Sequence, residues 1–379
     1  MINSIFDGAQ QTKITQMRIL HITTHLDIGG IPTYIYNLTR HLIKCNIEVA
    51  VASSGGVWED EFKKLGVKVY RINVRTKNEF APKLIHSAYT LYQIRKEFKF
   101  DIIHSHTRVT QVLAQLFSFF SRVPHIANFH GFYLKNKKRL MRKIIKAQGK
   151  VSIAITPFVA DDLINIFGGK KERVRTILSG IDFDRLDNDK ATLKLNGSPI
   201  IGASGRLSSV KGFKYLVSAM VDVRSRYPNA SLYIMGDGKE RQNLLDLANK
   251  AGVGKCFNIL TNVSLSAFLK AIDIFCLPSL EEPLGLSVLE AQYFGVPCIA
   301  SSVDGLKILI NHSDTGLLVP PRNSKKISEA IDLLMKDGEL RQRISDTCQK
   351  EVRDKFDLNT RIADFASIYK EVLDENTGI

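Results

Sequence analysis

Short apolar runs alternate along the chain with stretches whose apolar residues recur every three or four positions. RILHIT (18–23) reads as a buried strand and IPTYIYNLTRHLIKC (31–45) as the amphipathic helix that follows it. Further strand-like runs are NIEVAVAS (46–53), VKVYRIN (67–73), DIIHSH (101–106), PHIANFH (124–130), VSIAIT (151–156) and VRTILS (174–179), with helical segments over 82–99 and 109–120. Strands that are apolar almost throughout, separated by helices, predict a parallel sheet covered on both faces.

The pattern then begins again. SPIIGASG (198–205) predicts a strand ending in a glycine turn, and 212–226 a helix. Strands follow over 230–238, 256–260, 274–279, 297–301 and 316–320, with helices over 239–251, 264–272 and 286–294 between them. Two doubly wound sheets in tandem, an α/β architecture, account for both halves. The polar stretch 180–198 has few periodic apolar positions and reads as the linker. The expected layout is a loose extension (1–16), a first Rossmann-like domain (17–190), a second (191–355) and a C-terminal helix (356–379) packing back toward the first. Ligands of such sheets bind beyond the carboxyl ends of the strands, which directs attention to the loops there.

Composition adds one thing to this picture. With 44% apolar and 24% charged residues the chain is an ordinary cored protein, not a disordered or disulfide-scaffold one. Its net charge of +15 is uneven, however: residues 1–190 hold 30 basic and 16 acidic residues, and the rest is close to neutral. A basic half predicts a polyanionic partner. Residues 135–150, KNKKRLMRKIIKAQGK, carry eight Lys/Arg and no acid, with Leu140, Met141, Ile144 and Ile145 at helical spacing. Such a cationic helix suits an anionic membrane surface or a phosphorylated or lipid-linked acceptor. Nothing resembles an aromatic RNA platform or a DNA-reading helix, so no nucleic acid is expected. The five scattered cysteines predict reduced thiols and no structural zinc. Residues 1–16 lack the apolar core of a secretory signal, and 112–120 is too short to cross a bilayer. The expected location is the cytoplasm, at the inner face of the cell membrane.

Three loops carry candidate chemistry. Asp27-Ile28-Gly29-Gly30 joins the first strand to the first helix, where backbone amides can approach an anion; the full dinucleotide spacing is missing. Gly205-Arg206, with Lys211-Gly212 five residues on, offers a planar fork and a mobile point charge suited to a diphosphate. The third, PSLEEPLGLSVLEAQYFGVP (278–297), places Glu282 before a helix beginning near Leu286 and Glu290 one turn inside it. Paired carboxylates there can grip vicinal hydroxyls. His104, His106 and His130 end strands, His130 before Gly131; the first reads as structural, His106 as equally structural or functional, and His130 as functional.

Taken in order, GGIPTY (29–34), HSH (104–106), FHG (129–131), SGID (179–182), GRLSSVKG (205–212), MGDG (235–238), LPSLEEPLGLSVLEAQYFGVPCIAS (277–301) and GLLVPP (316–321) resemble the retaining GT-B glycosyltransferases of family 4, of the lipopolysaccharide and capsule type. The resemblance covers nearly the whole chain after Met17. It implies two Rossmann-like domains facing across a cleft and transfer of a sugar from a nucleotide sugar, a UDP-sugar, to a glycan or lipid-linked acceptor. It assigns Arg206 and Lys211 to the donor diphosphate, Glu290 to the ribose hydroxyls, and Glu282 to the transferred sugar with the backbone of Leu284, Gly285 and Leu286. Gly30 would bring its amide to the donor phosphate and His130 would stand at the reaction centre. His106, Lys135, Lys138 and Arg139 are the acceptor-side candidates. No metal and no bound cofactor are implied. Ser179, the 304–308 loop and Leu358 depart from the family pattern. Alternative readings are a GT-B epimerase or phosphorylase, and a non-enzymatic nucleotide- or nucleic-acid-binding module using the basic half.

Overall fold

The computed structural model describes residues 17–76, 78–79, 81–131 and 146–377. They form two compact units, one running to Leu178 and resuming at Leu358, the other spanning Ser179–Asp357.

The first unit opens β1 (Arg18–Ile22), α1 (Gly30–Lys44), β2 (Glu48–Ser53), α2 (Glu59–Lys64), β3 (Lys68–Arg71), α3 (Lys83–Phe98), β4 (Ile102–Ser105), α4 (Arg108–Ser121) and β5 (His125–Phe129). It continues with β6 (Val151–Ala154), α5 (Pro157–Asp161) and β7 (Val174–Thr176). The seven strands are parallel, in the order β3-β2-β1-β4-β5-β6-β7. Ile19, Leu20, Ile22, Ile102 and Ile103 are wholly buried, as strands covered on both faces require. Strands β1, β4 and β5 also bury His21, His104 and His125 completely.

The second unit holds α6 (Phe183–Asp187), β8 (Ile200–Ser204), α7 (Phe213–Arg226), β9 (Ser231–Met235), α8 (Arg241–Lys250), β10 (Phe257–Leu260), α9 (Leu265–Lys270) and β11 (Ile274–Leu277). Then come α10 (Leu286–Tyr293), β12 (Cys298–Ser301), α11 (Leu306–Leu309), β13 (Leu317–Val319), α12 (Ser324–Lys336) and α13 (Gly338–Lys355). Its six strands are parallel in the order β10-β9-β8-β11-β12-β13. In each sheet the chain leaves the first strand in one direction and returns to its other side, so the β1/β4 and β8/β11 ends are switch points, the places where sheets of this kind receive ligands.

The units divide between residues 178 and 179, not at the expected 190, and again between 357 and 358. The segment expected as linker contains α6, which belongs to the second unit for clear reasons. Phe183 stacks on Tyr293 with ring centroids 4.6 Å apart, Leu186 is buried, and Ile181 donates its N–H to the Phe356 carbonyl at 2.9 Å. The final helix, α14 (Asn359–Thr377), belongs to the first unit. There it buries Ile362, Phe365, Tyr369 and Val372, and the Tyr369 hydroxyl meets His104 Nδ1 at 2.8 Å.

Candidate functional site

In the second unit the loops after β8 and β11 are locked together. Gly212 has φ +64, and a Cβ on it would lie 2.1 Å from the Pro278 carbonyl oxygen, so only glycine fits both the left-handed backbone and the close approach. Leu280 donates its N–H to the Val210 carbonyl at 2.7 Å across the same contact. This juxtaposition brings Lys211 Nζ onto Glu282 Oε2, an ion pair that Ser279 Oγ completes from 3.0 Å. Both side chains are largely shielded, so the pair is stronger than one at an open surface. Arg206 lies exposed on the same β8 loop.

Glu282 is held before α10. Its carbonyl accepts the Gly305 N–H at 3.0 Å, and Gly285, at φ +98, opens the helix. Leu284 and Gly285 are buried and Leu286 half-buried. No acidic residue stands in the first turn of α10, so its N-terminal amides keep their favourable potential for an anion. Glu290 is buried inside the helix and accepts from Arg185 Nη2 at 3.2 Å through Oε1. Burial outweighs the guanidinium's pull and raises its carboxyl to about 7. Arg185 was not singled out from sequence. The available signal was Asp182, which caps α6 by accepting the Arg185 N–H at 3.0 Å and so orients that side chain's helix.

Two Asp-x-Asp runs, 182–184 and 187–189, stand beside Arg185; this is a pattern that can hold a metal ion, and the metal-free expectation did not weigh it. Asp182 caps α6, Asp187 accepts from the Tyr293 hydroxyl at 2.8 Å, and Asp189 accepts from Ser264 Oγ at 2.5 Å.

The first unit gathers histidines at its switch point. His21 Nδ1 lies 2.9 Å from His106 Nε2, and His106 Nδ1 lies 3.2 Å from His130 Nε2. Asn128 Nδ2 reaches the same His130 nitrogen at 3.1 Å, and Tyr34 donates its hydroxyl to Asn128 Oδ1 at 3.1 Å. The Tyr34 ring stands edge-on to His130 at 4.7 Å. His104 stacks on His106 at 4.4 Å. Burial pushes His21, His125 and His130 down to about 3 and lowers His104 and His106 well below the ordinary range, so all five imidazoles are neutral at physiological pH.

His21, His104 and His106 bring one nitrogen each within 4.8 Å of one another, close enough to surround a metal ion among the described residues. Both His106 nitrogens are already engaged, by His21 and by His130. A metal would have to displace one of those bonds.

Gly30 is exposed at the start of α1, and a Cβ there would meet nothing within 4 Å. Its own site therefore does not demand glycine on steric grounds. Lys135, Lys138 and Arg139 lie outside the described residues. Thus the structure joins Lys211 to Glu282 and His106 to His130, in separate units. His21, Tyr34, Asn128, Ser279 and Tyr369 were missed; a histidine inside the apolar run RILHIT was the visible signal for the first of them.

Two family models match in succession, overlapping at 184–185: Glycosyltransferase Family 4 over residues 28–185 and Glycosyl transferases group 1 over residues 184–351. An uncharacterised glycosyltransferase of Methanocaldococcus jannaschii is 27% identical over 90% of this chain and 94% of its own. The D-inositol 3-phosphate glycosyltransferase of Corynebacterium glutamicum is 25% identical over 94% and 97%. Among solved structures, Anabaena HepE in complex with UDP and glucose superposes with a TM-score of 0.80 at 19% identity, covering 94% of this chain and all of that one. With two parallel Rossmann-like sheets and these matches, the chain is a GT-B glycosyltransferase of group 1.

Proposed function

We propose that the protein transfers a sugar from a nucleotide sugar, a UDP-sugar, to a glycan or lipid-linked acceptor with retention of anomeric configuration and without a metal, in cell-surface polysaccharide or lipopolysaccharide synthesis. The observation that carries the reading is the Lys211–Glu282 ion pair, held by Ser279 at the β8/β11 switch point. A cation kept beside a carboxylate in a shielded loop is poised to exchange that partner for an arriving diphosphate. Arg206 adds a second cation from the same loop, and the N-terminus of α10 adds its dipole. Together they stabilise the negative charge that develops on the leaving nucleoside diphosphate. Glu282, once released, accepts hydrogen bonds from the transferred sugar. Glu290 serves the ribose: a carboxyl raised to about 7 can donate to one hydroxyl and accept from its neighbour. In the first unit, His130 meets the transferred sugar and His106 the acceptor side.

UDP in the Anabaena neighbour agrees with this donor class. No described helix is long and apolar enough to cross a membrane. Contact with an anionic membrane at its inner face is supported by the basic first half and by exposed apolar side chains on α3 (Ile85, Tyr89, Tyr92) and α4 (Leu116, Phe119, Phe120).

Isothermal titration with UDP tests the donor reading. Binding that weakens at least about tenfold, roughly 1.4 kcal/mol, on Arg206→Ala is expected. No binding, or binding indifferent to Arg206, overturns it. A donor screen read by nucleoside-diphosphate release then identifies the sugar.

A further inference from the structure

His21, His106 and His130 form a line of imidazoles from the buried strand β1 to the half-buried residue after β5. A neutral imidazole carries one N–H and one lone pair, so a line of them joined nitrogen to nitrogen runs in one direction only. Burial keeps all three neutral.

The direction is set at the outer end. Tyr34 donates to Asn128 Oδ1, which turns the Asn128 amide nitrogen toward His130 Nε2. That nitrogen must therefore accept. It also faces His106 Nδ1, which must carry the proton, so the two donors share the one lone pair in a three-centre contact. His106 Nε2 is then a lone pair, and His21 Nδ1 donates to it. The last polar atom of the line, His21 Nε2, is left with a lone pair, and among the described residues it has no hydrogen-bond partner in its buried position. The reverse direction would bury an unsatisfied N–H there, the costlier orphan, and would set two N–H groups against each other at Asn128.

The surroundings of the line agree. His104 stacks on His106, and its own Nδ1 is taken by Tyr369. His125 Nε2 is bound to Ser105 Oγ at 2.7 Å. Behind His130 stand an imidazole and an amide, both donating. An imidazole that abstracts a proton is normally backed by a carboxylate that accepts its second N–H and stabilises the cation.

We propose that His21 and His106 are positioning residues that fix His130 as the Nδ1–H tautomer, so that His130 offers a substrate oxygen a hydrogen-bond donor and not a base. The direction of the line stands on the hydrogen bonds alone; that its target is a substrate oxygen rests on the glycosyl-transfer reading above. The oxygen is a hydroxyl of the transferred sugar or an oxygen of its phosphate, both acceptors for a neutral N–H. His21 makes no contact with substrate in this scheme. It acts by holding His106, which holds His130.

Long-range nitrogen–proton NMR spectra of the full chain labelled with 15N-histidine test the direction without any substrate. Single His→Gln variants assign the resonances. The expected pattern is a pyrrole-like Nδ1 and a pyridine-like Nε2 for both His106 and His130. The opposite pattern, or a protonated His130 near pH 7, overturns the proposal. Turnover tests the consequence. His21→Asn keeps an amide N–H where Nδ1 stood, whereas His21→Leu removes it. The expectation is near-normal kcat for Asn and about a tenfold lower kcat for Leu, with the donor KM unchanged in both. Equal losses in the two variants, or a loss seen only in KM, overturn the positioning role. Should His21→Leu fail to fold, His130→Asn against His130→Asp replaces it: Asn retains the donor at the Nδ1 place and is expected to keep more activity than Asp, and the reverse order overturns the proposal. The spectra decide the tautomer whether or not sugar transfer is found, so failure of the line and failure of the glycosyl-transfer reading give different results.

Discussion

At the scale of single residues, the two carboxylates flanking the start of α10 do different work. Glu282 is balanced by Lys211, and removing one leaves the other shielded and uncompensated. Lys211→Ala is expected to cost about 1–3 kcal/mol of stability, discounted from a fully buried pair because both groups keep some solvent. Lys211→Ala with Glu282→Gln should recover most of that stability in urea unfolding while UDP binding stays weak. Such a split separates the pair's structural part from the role toward phosphate proposed for it. Glu290 behaves otherwise. Its carboxyl is raised from 4.5 to about 7 by burial, so the folded state holds its proton more tightly than the unfolded chain does. The stability it lends is complete below about pH 4.5 and is lost as pH rises through about 7. Thermal unfolding should therefore show stability falling between pH 5 and 7.5 by on the order of 2 kcal/mol, and Glu290→Gln should abolish that part of the fall. Both glutamates were legible in the sequence because their spacing across a helix start is a pattern of adjacent positions. Arg185 was not, since its partner is 105 residues away and only the fold brings them together.

At the scale of elements, strands and long helices were legible because burial on one or both faces writes a period into the chain. The short helix α6 was not. Its five residues offer only Phe183 and Leu186 as apolar anchors, too few to show a period against the polar background, and so the unit boundary was placed about a dozen residues late. The glycines divide in the same way. Gly212 and Gly30 both open helices and read alike in sequence, but their surroundings differ. Gly212→Ala forces a left-handed backbone on alanine and drives its Cβ into the Pro278 carbonyl. Strain and displacement together should cost more than about 2 kcal/mol and loosen the Lys211–Glu282 pairing. Gly30→Ala meets nothing within 4 Å and sits at the first helical position, so its unfolding midpoint should be unchanged or slightly higher. If the Gly30 amide does approach the donor phosphate, the same substitution weakens nucleotide-sugar affinity without touching stability. Measuring both quantities on the two variants distinguishes a glycine kept for the fold from one kept for a ligand.

At the scale of the whole molecule, the charge asymmetry and the exposed apolar side chains fall in the same unit. Residues 1–178 and 358–379, which make up the first unit, hold 30 basic and 16 acidic residues, net +14, and its helices α3 and α4 expose Ile85, Tyr89 and Tyr92, and Leu116, Phe119 and Phe120. Phe119 and Phe120 pack edge-to-face on each other while remaining 78% and 81% exposed. Two exposed phenylalanines side by side cost solubility unless something apolar receives them. Cations draw a protein to an anionic bilayer, and aromatic side chains hold it at the headgroup level once there; either alone is weak. The two contributions predict different salt behaviour. Flotation with vesicles containing anionic lipid should retain the protein at low salt. Neutralising Lys137, Lys138, Arg139, Arg142 and Lys143 should remove most of that retention, at about 1 kcal/mol per charge near the surface. Phe119→Ser with Phe120→Ser should leave low-salt attraction largely intact but abolish the fraction that resists raised ionic strength, because screening acts on charge and not on apolar insertion. Retention indifferent to lipid charge would defeat the electrostatic half of this account. Retention in high salt by the double phenylalanine variant would defeat the other half.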